Sequence, residues 1–284
     1  MFDYRRGITA WSRPGLTRPV RLLIRLPALA IRPALLILLA LSTHLTPAAH
    51  AATRVVSLNL CTDQMLVLLA PQKIAGLSIL ARDPPLSFVA PQAATLPFVR
   101  PSAEAVLRLR PDLVLAGPYG AQTVLGLLEQ HGVRVLRLTL PNDFPGIRSF
   151  TRSLAAELDA PDRGEALITA MDRTLGEPPA RAHPLTAVAW QPRGYTAGPD
   201  SLMQSVFQAA ALTNASHGKR LALEALVRHP PEILVISGRP AFPSLATDLL
   251  DHPSLAAIPR RVVPNALTIC AGPFTARAVA LLAR

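Results

Sequence analysis

The chain has 284 residues, half of them hydrophobic and 17% charged, which is enough for one large domain or two modest ones around a sizeable core. Its formal net charge of +11 suggests a nucleic-acid partner, but seven of the 29 basic residues lie in the first 51 positions, where Asp3 is the only acid. The remaining residues have a net charge of +5 and show neither a basic stripe with interleaved aromatics nor a recognition motif, which argues against nucleic-acid binding.

Residues 1–51 have the pattern of a secretory signal peptide. Arginines precede the apolar run PALLILLALS, and Ala49 and Ala51 supply the small residues of a cleavage site. The apolar run is short for a membrane span, although a retained membrane anchor and an Arg-rich organellar transit peptide are the alternatives. We therefore expect cleavage after Ala51 and a mature protein in the periplasm.

Residues 52–160 are predicted to form a first α/β lobe. Arg54–Leu58 reads as a strand, and the helix that follows has Thr62 or Asp63 as its candidate N-cap. The short strand KIAGLS leads into the Pro-rich loop ARDPPLSFVAPQAATLPFV. A helix capped by Ser102, the buried strand DLVLAG, the helix AQTVLGLLEQHG and the strand VRVLRLTL complete a set of parallel strands with crossover helices.

From residue 144 two helical segments follow each other with no strand between them. The second, from Pro161 to about Glu177, is long and amphipathic, and residues 161–183 are assigned to a linker helix between two lobes. The strand LTAVAWQ, the helix DSLMQSVFQAAAL, the strand EILVISG and the terminal helix FTARAVALLAR then predict a second α/β lobe over residues 184–284.

One phrase occurs twice in the chain, 120 residues apart. The segments SAEAVLRLRPDLVLAG and ALEALVRHPPEILVISG each place a glutamate, Glu104 or Glu224, seven residues before Pro, an acidic residue and an apolar run. The repeat predicts two similar lobes that leave a cleft at the carboxyl ends of their strands, where ligands bind in such sheets. Coincidence is the alternative, because helix–Pro–Asp–strand is a common phrase in α/β proteins.

Five segments of the mature chain keep a distinctive order and spacing: RVVSLNLCTDQ, EAVLRLRPDLVLA, GPDSLMQSVFQAAALTNAS, LEALVRHPPEILVIS and LTICAGPFTARAVALLA. Together they resemble the class III periplasmic solute-binding proteins of ABC importers, which serve vitamin B12, ferric siderophores and haem. The resemblance implies two Rossmann-like lobes with parallel sheets, joined by a single long linker helix, with the ligand cleft between them. It also implies a monomer that is not an enzyme, has no resident cofactor, and carries cobalamin, a ferric siderophore or haem to a permease–ATPase complex in the inner membrane.

The resemblance further implies a role for the repeated glutamates. In such importers one Glu on each lobe docks onto arginines of the permease, and Glu104 and Glu224 match those positions. Two carboxylates on separate lobes can accept charge-assisted hydrogen bonds from arginine. The alternative is that a Glu in the first turn of a helix is favoured by the helix dipole whatever the partner.

Candidate ligand contacts lie in loops that follow predicted strands or, for one arginine, just before a helix. They are Asn59, Cys61, Asp63, Arg82, Asp83, Arg100, Tyr119, Trp190, Arg193, Tyr195, Cys270 and Phe274. Aromatic side chains offer broad, stiff apolar contact to a planar or macrocyclic ligand, and arginines suit anionic siderophores or propionates. Alternatively, Trp190 is a core residue at a strand end, and Arg82 with Asp83 forms a solvated ion pair.

The chain contains two cysteines, Cys61 and Cys270, which fall on predicted cleft loops, one in each lobe. They could form a disulfide across the cleft floor, approach a metal-containing ligand as thiols, or be unrelated buried thiols, and the distance between their Cα atoms decides. The chain has no GxSxG, P-loop or GxGxxG motif, and its histidines lack metal-ligand spacing. The alternative function is an extracytoplasmic thiol enzyme that uses Cys61, which lies immediately before a helix.

Overall fold

The computed structural model describes residues 52–180, 182–218, 220–238 and 249–284, and the predicted signal peptide of residues 1–51 lies outside the described residues. Two four-stranded β-sheets, each with all of its strands parallel, organise the chain. The structure therefore confirms an α/β fold with two parallel sheets. The first sheet with its helices is called the first lobe below, and the second sheet with its helices the second lobe.

The first sheet contains β1 (Val55–Ser57), β2 (Ile74–Gly76), β3 (Leu113–Ala116) and β4 (Arg134–Arg137). These strands lie side by side in the order β2-β1-β3-β4. The two central strands, β1 and β3, are buried along their whole length, as expected of strands that helices cover on both faces. Because the strands are parallel, the loops that follow them all begin at one edge of the sheet.

The helices of the first lobe are α1 (Leu60–Leu69), α2 (Ala90–Ala93), α3 (Ala103–Arg108) and α4 (Gln122–Gln130). The N-cap of α1 is Asn59, whose side-chain oxygen accepts the N–H of Cys61 at 2.9 Å, and not Thr62 or Asp63 as predicted. The helix begins earlier because Asn59 already has the extended backbone that an N-cap requires. Ser102 caps α3 as predicted, by accepting the N–H of Ala105.

Helices α5 (Phe144–Glu157) and α6 (Pro161–Leu175) connect the two sheets and pack against each other. The predicted linker helix is α6. Both helices lie along the seam between the lobes, because Ile147 of α5 and Met171 of α6 pack in the core of the second lobe, whereas Leu154 of α5 packs in the core of the first. The domain boundaries at residues 160 and 183 remain a prediction.

The second sheet contains β5 (Leu185–Ala189), β6 (Leu212–Asn214), β7 (Ile233–Ile236) and β8 (Arg260–Val262), in the spatial order β6-β5-β7-β8. Its helices are α7 (Leu202–Ala209), α8 (Leu223–Arg228) and α9 (Ala276–Ala283). The strand β6 was not predicted, because the helix predicted before it, DSLMQSVFQAAAL, extends as far as Leu212. The spatial order matches that of the first sheet, with the first strand of each lobe second from one edge.

The repeated phrase has a structural role that is the same in both lobes. Its acidic residue accepts two hydrogen bonds from a threonine at the start of the neighbouring strand. Asp112 accepts the N–H and the hydroxyl of Thr53 at 2.7 and 2.8 Å. Glu232 accepts the N–H and the hydroxyl of Thr186 at 2.7 and 3.0 Å. Hydrogen bonds from Thr186 lower the pKa of Glu232. Partial burial acts to raise the pKa of Asp112, but the hydrogen bonds from Thr53 and Arg54 outweigh it and lower this pKa.

Candidate functional site

The carboxyl ends of the two sheets meet at a disulfide bond between Cys61 and Cys270, whose Cα atoms are 5.2 Å apart. Cys61 lies in the first turn of α1, directly after β1, and Cys270 follows β8. Of the three alternatives for the cysteines, the structure shows the disulfide. Both residues are buried, and Cys61 has no free thiol in this state, so the alternative of a thiol enzyme lacks its nucleophile.

Two further sets of contacts hold the lobes together beside the disulfide. The ring of Phe88 in the first lobe stacks on Phe274 of the second with 4.9 Å between centroids, and the guanidinium of Arg277 lies 4.7 Å above the ring of Phe88. The amide of Asn142, which follows β4, donates to the carbonyl of Asp200 at 2.8 Å. Loops that follow strands of both sheets therefore contact each other directly.

Most of the large apolar side chains that the described residues expose lie at the carboxyl ends of the strands. Besides Val262, the last residue of β8, six of the ten lie in loops that follow strands, and they are Ile79, Leu80, Phe98, Tyr119, Tyr195 and Ile269. The first four belong to the first lobe and the other two to the second. Exposure of such residues is costly in water, so their concentration at the strand ends of both lobes marks this region as a candidate ligand-binding surface.

Three arginines accompany this apolar surface. The guanidinium of Arg82 lies 4.7 Å from the centroid of the Phe98 ring, and that of Arg220 lies 5.7 Å from the centroid of the Tyr195 ring. Arg220 also donates to the carbonyl of Arg193 at 3.0 Å, which joins the loop after β5 to the loop after β6. Arginine stacked on an aromatic ring keeps its charge while stiffening the ring.

Five predicted ligand contacts are buried in this structure. Cys61, Cys270 and Phe274 contribute to the hydrophobic core of the second lobe. Trp190 is only 1% exposed, and its indole N–H donates to the carbonyl of Leu221 at 3.1 Å, so it is a core residue at a strand end, and its contact with a ligand stays a prediction. Asp63 is the fifth and is also fully buried.

The burial of Asp63 has an electrostatic consequence. Its carboxylate accepts the N–H of Ser78 at 3.2 Å and forms a hydrogen bond of 2.5 Å with the hydroxyl of the same serine. Desolvation by burial raises the pKa of Asp63 to about 7, although hydrogen bonds from Ser57 and Ser78 act to lower it. A carboxyl group that would normally be ionised therefore changes charge near neutral pH.

The remaining predicted contacts are at least partly accessible. Tyr119 is 87% exposed, and Arg100, Arg193 and Tyr195 are also exposed. The other three have local roles: Asn59 caps α1, Arg82 donates to the backbone carbonyls of residues 93 and 96, and the carbonyl of Asp83 accepts two N–H groups of its own loop. Arg82 is thus held by carbonyl groups, in contrast to the alternative of an ion pair with Asp83.

Four apolar residues and one arginine of the candidate surface were not predicted from the sequence: Ile79, Leu80, Phe98, Ile269 and Arg220. The available signal was their position, because large apolar residues in loops after strands have no obvious core to enter. The residues predicted from those loops were mostly charged and aromatic groups close to the predicted strand ends, which left out aliphatic residues and residues farther along the loops.

The two repeated glutamates are exposed and occupy equivalent places in the two lobes. Each lies in the first turn of a six-residue helix, Glu104 in α3 and Glu224 in α8. The carboxylate of Glu104 is 2.6 Å from the guanidinium of Arg108, one turn along the same helix. The second helix has Ala222 at its N-cap and so lacks the side-chain hydrogen bond that Ser102 makes in the first.

The described residues contain neither a metal-binding cluster nor a membrane-spanning helix. No cluster of three or more His, Cys, Asp or Glu side chains in this part of the chain is arranged to hold a metal ion. None of its helices is both long and apolar enough to cross a membrane.

Comparison with known protein families matches residues 55–259 to the family described as periplasmic binding protein. Among solved structures, the chain is similar to the periplasmic heme-binding protein RhuT from Roseiflexus sp. RS-1, at 22% identity and a TM-score of 0.64, over 82% of this chain and 98% of that one. It is also similar to a periplasmic heme-binding protein from Pseudomonas aeruginosa, at 25% identity and a TM-score of 0.63, over 82% of this chain and 91% of that one.

A third structure of the same fold holds a different cargo. It is the siderophore-binding protein BauB, bound to a complex of two acinetobactin molecules and ferric iron, with 17% identity and a TM-score of 0.64 over 83% of this chain and 94% of that one. Comparison with curated protein sequences finds no match.

Proposed function

Because this chain belongs to the periplasmic binding protein family, we propose that it is the extracytoplasmic solute-binding component of an ABC importer, with a haem or a ferric siderophore as its cargo. The observation that supports this proposal most directly is the apolar surface at the strand ends, to which both lobes contribute exposed residues. A binding protein needs such a surface, whereas an enzyme would also need convergent catalytic groups.

The residues at the cleft suit a large, flat, anionic chelate. Phe98 and Tyr195 each have an arginine guanidinium over the aromatic ring, and Tyr119 adds a third, highly exposed ring. Stacking against rings favours a porphyrin or a catecholate, and the exposed Arg100 and Arg193 could pair with carboxylate or phenolate oxygens. The similar structures of a heme-binding protein and of a siderophore-binding protein with its iron complex agree with this cargo class. Cobalamin stays a prediction without such support.

Direct titration of the mature chain, residues 52–284, tests the cargo class. Haemin, a catecholate and a hydroxamate ferric siderophore, and cobalamin would be added separately and followed by ligand absorbance and by the fluorescence of Trp190, the single tryptophan after residue 51. We expect saturable binding of one chelate class with no chemical turnover. If none of the four binds, or if one is converted to product, the proposed function is wrong.

Matched alanine variants test the surface. Tyr195→Ala and Phe98→Ala should each weaken binding by roughly tenfold or more, because each removes a stacking contact worth about 1.5 kcal/mol. Leu127→Ala is the control, since Leu127 is an exposed apolar residue on α4, outside the loops at the strand ends. Equal weakening in all three variants would place the ligand elsewhere.

We further propose that Glu104 and Glu224 dock the protein onto its permease. The support is their equivalent position and exposure in the two lobes, which presents two carboxylates to a partner with arginines. A Glu104→Ala/Glu224→Ala double variant should bind cargo normally but fail to stimulate transport in vesicles that contain the permease and its ATPase. Glu165→Ala, an exposed carboxylate of α6, is the control. Unchanged uptake by the double variant would refute the docking role.

A further inference from the structure

The loop that follows β2 is tied to helix α1 at both of its ends. At its start, Asp63 of α1 accepts hydrogen bonds from the N–H and the hydroxyl of Ser78. At its far end, the side-chain oxygen of the next residue, Gln64, accepts the N–H of Phe88 at 2.7 Å. Both α1 side chains are fully buried, so two consecutive polar residues of one helix hold an entire loop over residues 78–88.

This loop forms part of the candidate ligand-binding surface. It carries Ile79 and Leu80, two of the exposed apolar side chains, in the short 3₁₀ turn Ile79–Arg82 that begins directly after Ser78. The helix that holds the loop is itself fixed to the second lobe, because Cys61 lies two residues before Asp63 and is bonded to Cys270. The loop is thereby held in place relative to both lobes.

We propose that Asp63 and Gln64 are positioning residues for the ligand, that they hold residues 78–88 in the conformation that lines the cleft, and that protonation of Asp63 sets how firmly the loop is held. The ligand part of this inference rests on the proposed binding function. The loop part stands on the hydrogen bonds alone.

The physical reason is the cost of burying a charge. When Asp63 is ionised, the closed loop keeps an anion out of water, and opening the loop returns that anion to solvent. Burial raises the pKa of Asp63 to about 7 in the closed structure, whereas a solvated aspartate titrates near pH 4. The equilibrium constant for loop opening should therefore rise between about pH 4 and pH 7 and level off above pH 7.

The charged groups around Asp63 do not offset this cost. The neighbours that shift its pKa are the neutral residues Ser57 and Ser78. Arg82 and Asp83 are the charged residues of the loop itself, and Arg82 is directed away, to backbone carbonyls farther along the chain. Lys73, just after α1, donates to the carbonyl of Leu158, and Arg163 of α6 donates to the carbonyl of Leu68, at the far end of α1. The buried carboxylate therefore has no cation to balance it among its described partners.

Hydrogen exchange of the ligand-free mature protein tests the loop. After correction for intrinsic exchange, the protection of the amides of residues 78–88 should fall by up to about 50-fold from pH 5 to pH 7 and change little above pH 7. Asp63→Asn should abolish this pH dependence, because a carboxamide can keep both bonds to Ser78 without a charge. Asp112→Asn is the matched control and should keep the wild-type profile, since Asp112 directly precedes β3 and so lies at the amino ends of the strands, away from the loop.

Ser78→Ala provides a second variant in case Asp63→Asn does not fold. It removes the hydroxyl that helps to stabilise the carboxylate and keeps the backbone N–H, so the pKa of Asp63 in the closed structure should rise, and the upper end of the pH window of loop opening should move upward. A wild-type loop whose protection does not vary between pH 5 and pH 7, or an Asp63→Asn protein with the wild-type profile, would overturn the inference.

Ligand release gives the functional readout. For haemin or the siderophore that binds, the ratio of wild-type to Asp63→Asn dissociation rate constants should rise from pH 5.5 to pH 7, because the ratio cancels any titration of the ligand itself. A constant ratio would refute the positioning role while leaving the binding function intact. If no chelate binds the wild-type protein, the proposed function fails, and hydrogen exchange alone decides whether Asp63 holds the loop.

Discussion

Loss of the bond between Cys61 and Cys270 should destabilise the protein strongly. The two cysteines are 209 residues apart in sequence, and closing a loop of that length lowers the entropy of the unfolded chain by an amount equivalent to about 5 kcal/mol at 25 °C. Domains of this kind are commonly stable by only about 5–15 kcal/mol, so the bond accounts for a large share of the total. The corresponding fall in Tm is roughly 10–20 °C.

The assay compares the oxidised protein, the reduced protein and a Cys61→Ala/Cys270→Ala double variant by guanidinium unfolding. Alanine is the appropriate substitute, because both cysteines lie in the apolar core of the second lobe and serine would bury a hydroxyl there. Reductant should destabilise the wild-type protein and leave the double variant unchanged, which serves as the control. If reduction changes the free energy of unfolding by less than about 1 kcal/mol, the long-loop argument is refuted.

Three smaller predictions concern residues whose contacts are equally explicit. Asp112→Asn and Glu232→Gln should each lower Tm at pH 7 by a few degrees. The difference from wild type should shrink as the pH falls below 4, because a carboxylate whose pKa is lowered by folding contributes stability that is lost when acid protonates it. A pH-independent difference in thermal melts would contradict this. Trp190→Phe should cost about 2 kcal/mol through its lost hydrogen bond and volume but leave chelate affinity unchanged in the titration, and lost affinity in a folded variant would make Trp190 a ligand contact after all. Gly218→Ala should lower the free energy of unfolding by about 2–3 kcal/mol in denaturant, since Gly218 has a positive φ and an added Cβ would lie 2.5 Å from the Cα of Gly198. A neutral effect would show that these two loops can move apart.

Much of the fold could be predicted because its signals are local. Central strands such as Leu113–Ala116 and Ile233–Ile236 are continuous apolar runs, and proline residues separate them from the preceding helices. The strand Leu212–Asn214 escaped prediction because three residues after an amphipathic helix carry little pattern of their own. It is a strand because Leu185 and its neighbours pair with it along the edge of the sheet.

The start of α1 shows where local signals become ambiguous. Asn59, Thr62 and Asp63 are all residue types that favour an N-cap, and only the backbone conformation selects among them. Once Asn59 takes that place, Asp63 moves into the helix and faces Ser78 from the interior. Its charge could be read from the sequence, but its burial, and with it the raised pKa, depends on the loop that covers it.

Hydrophobic periodicity and the order of motifs along the chain were sufficient to predict the alternation of strands and helices, the two related halves and the family. Which residues are exposed at the strand ends depends instead on tertiary packing. Trp190 and Tyr195 are five residues apart in one loop, yet the first is buried beneath Leu221 and the second is 55% exposed beside Arg220. Whether a side chain is covered depends on segments distant along the chain, which a local pattern cannot specify.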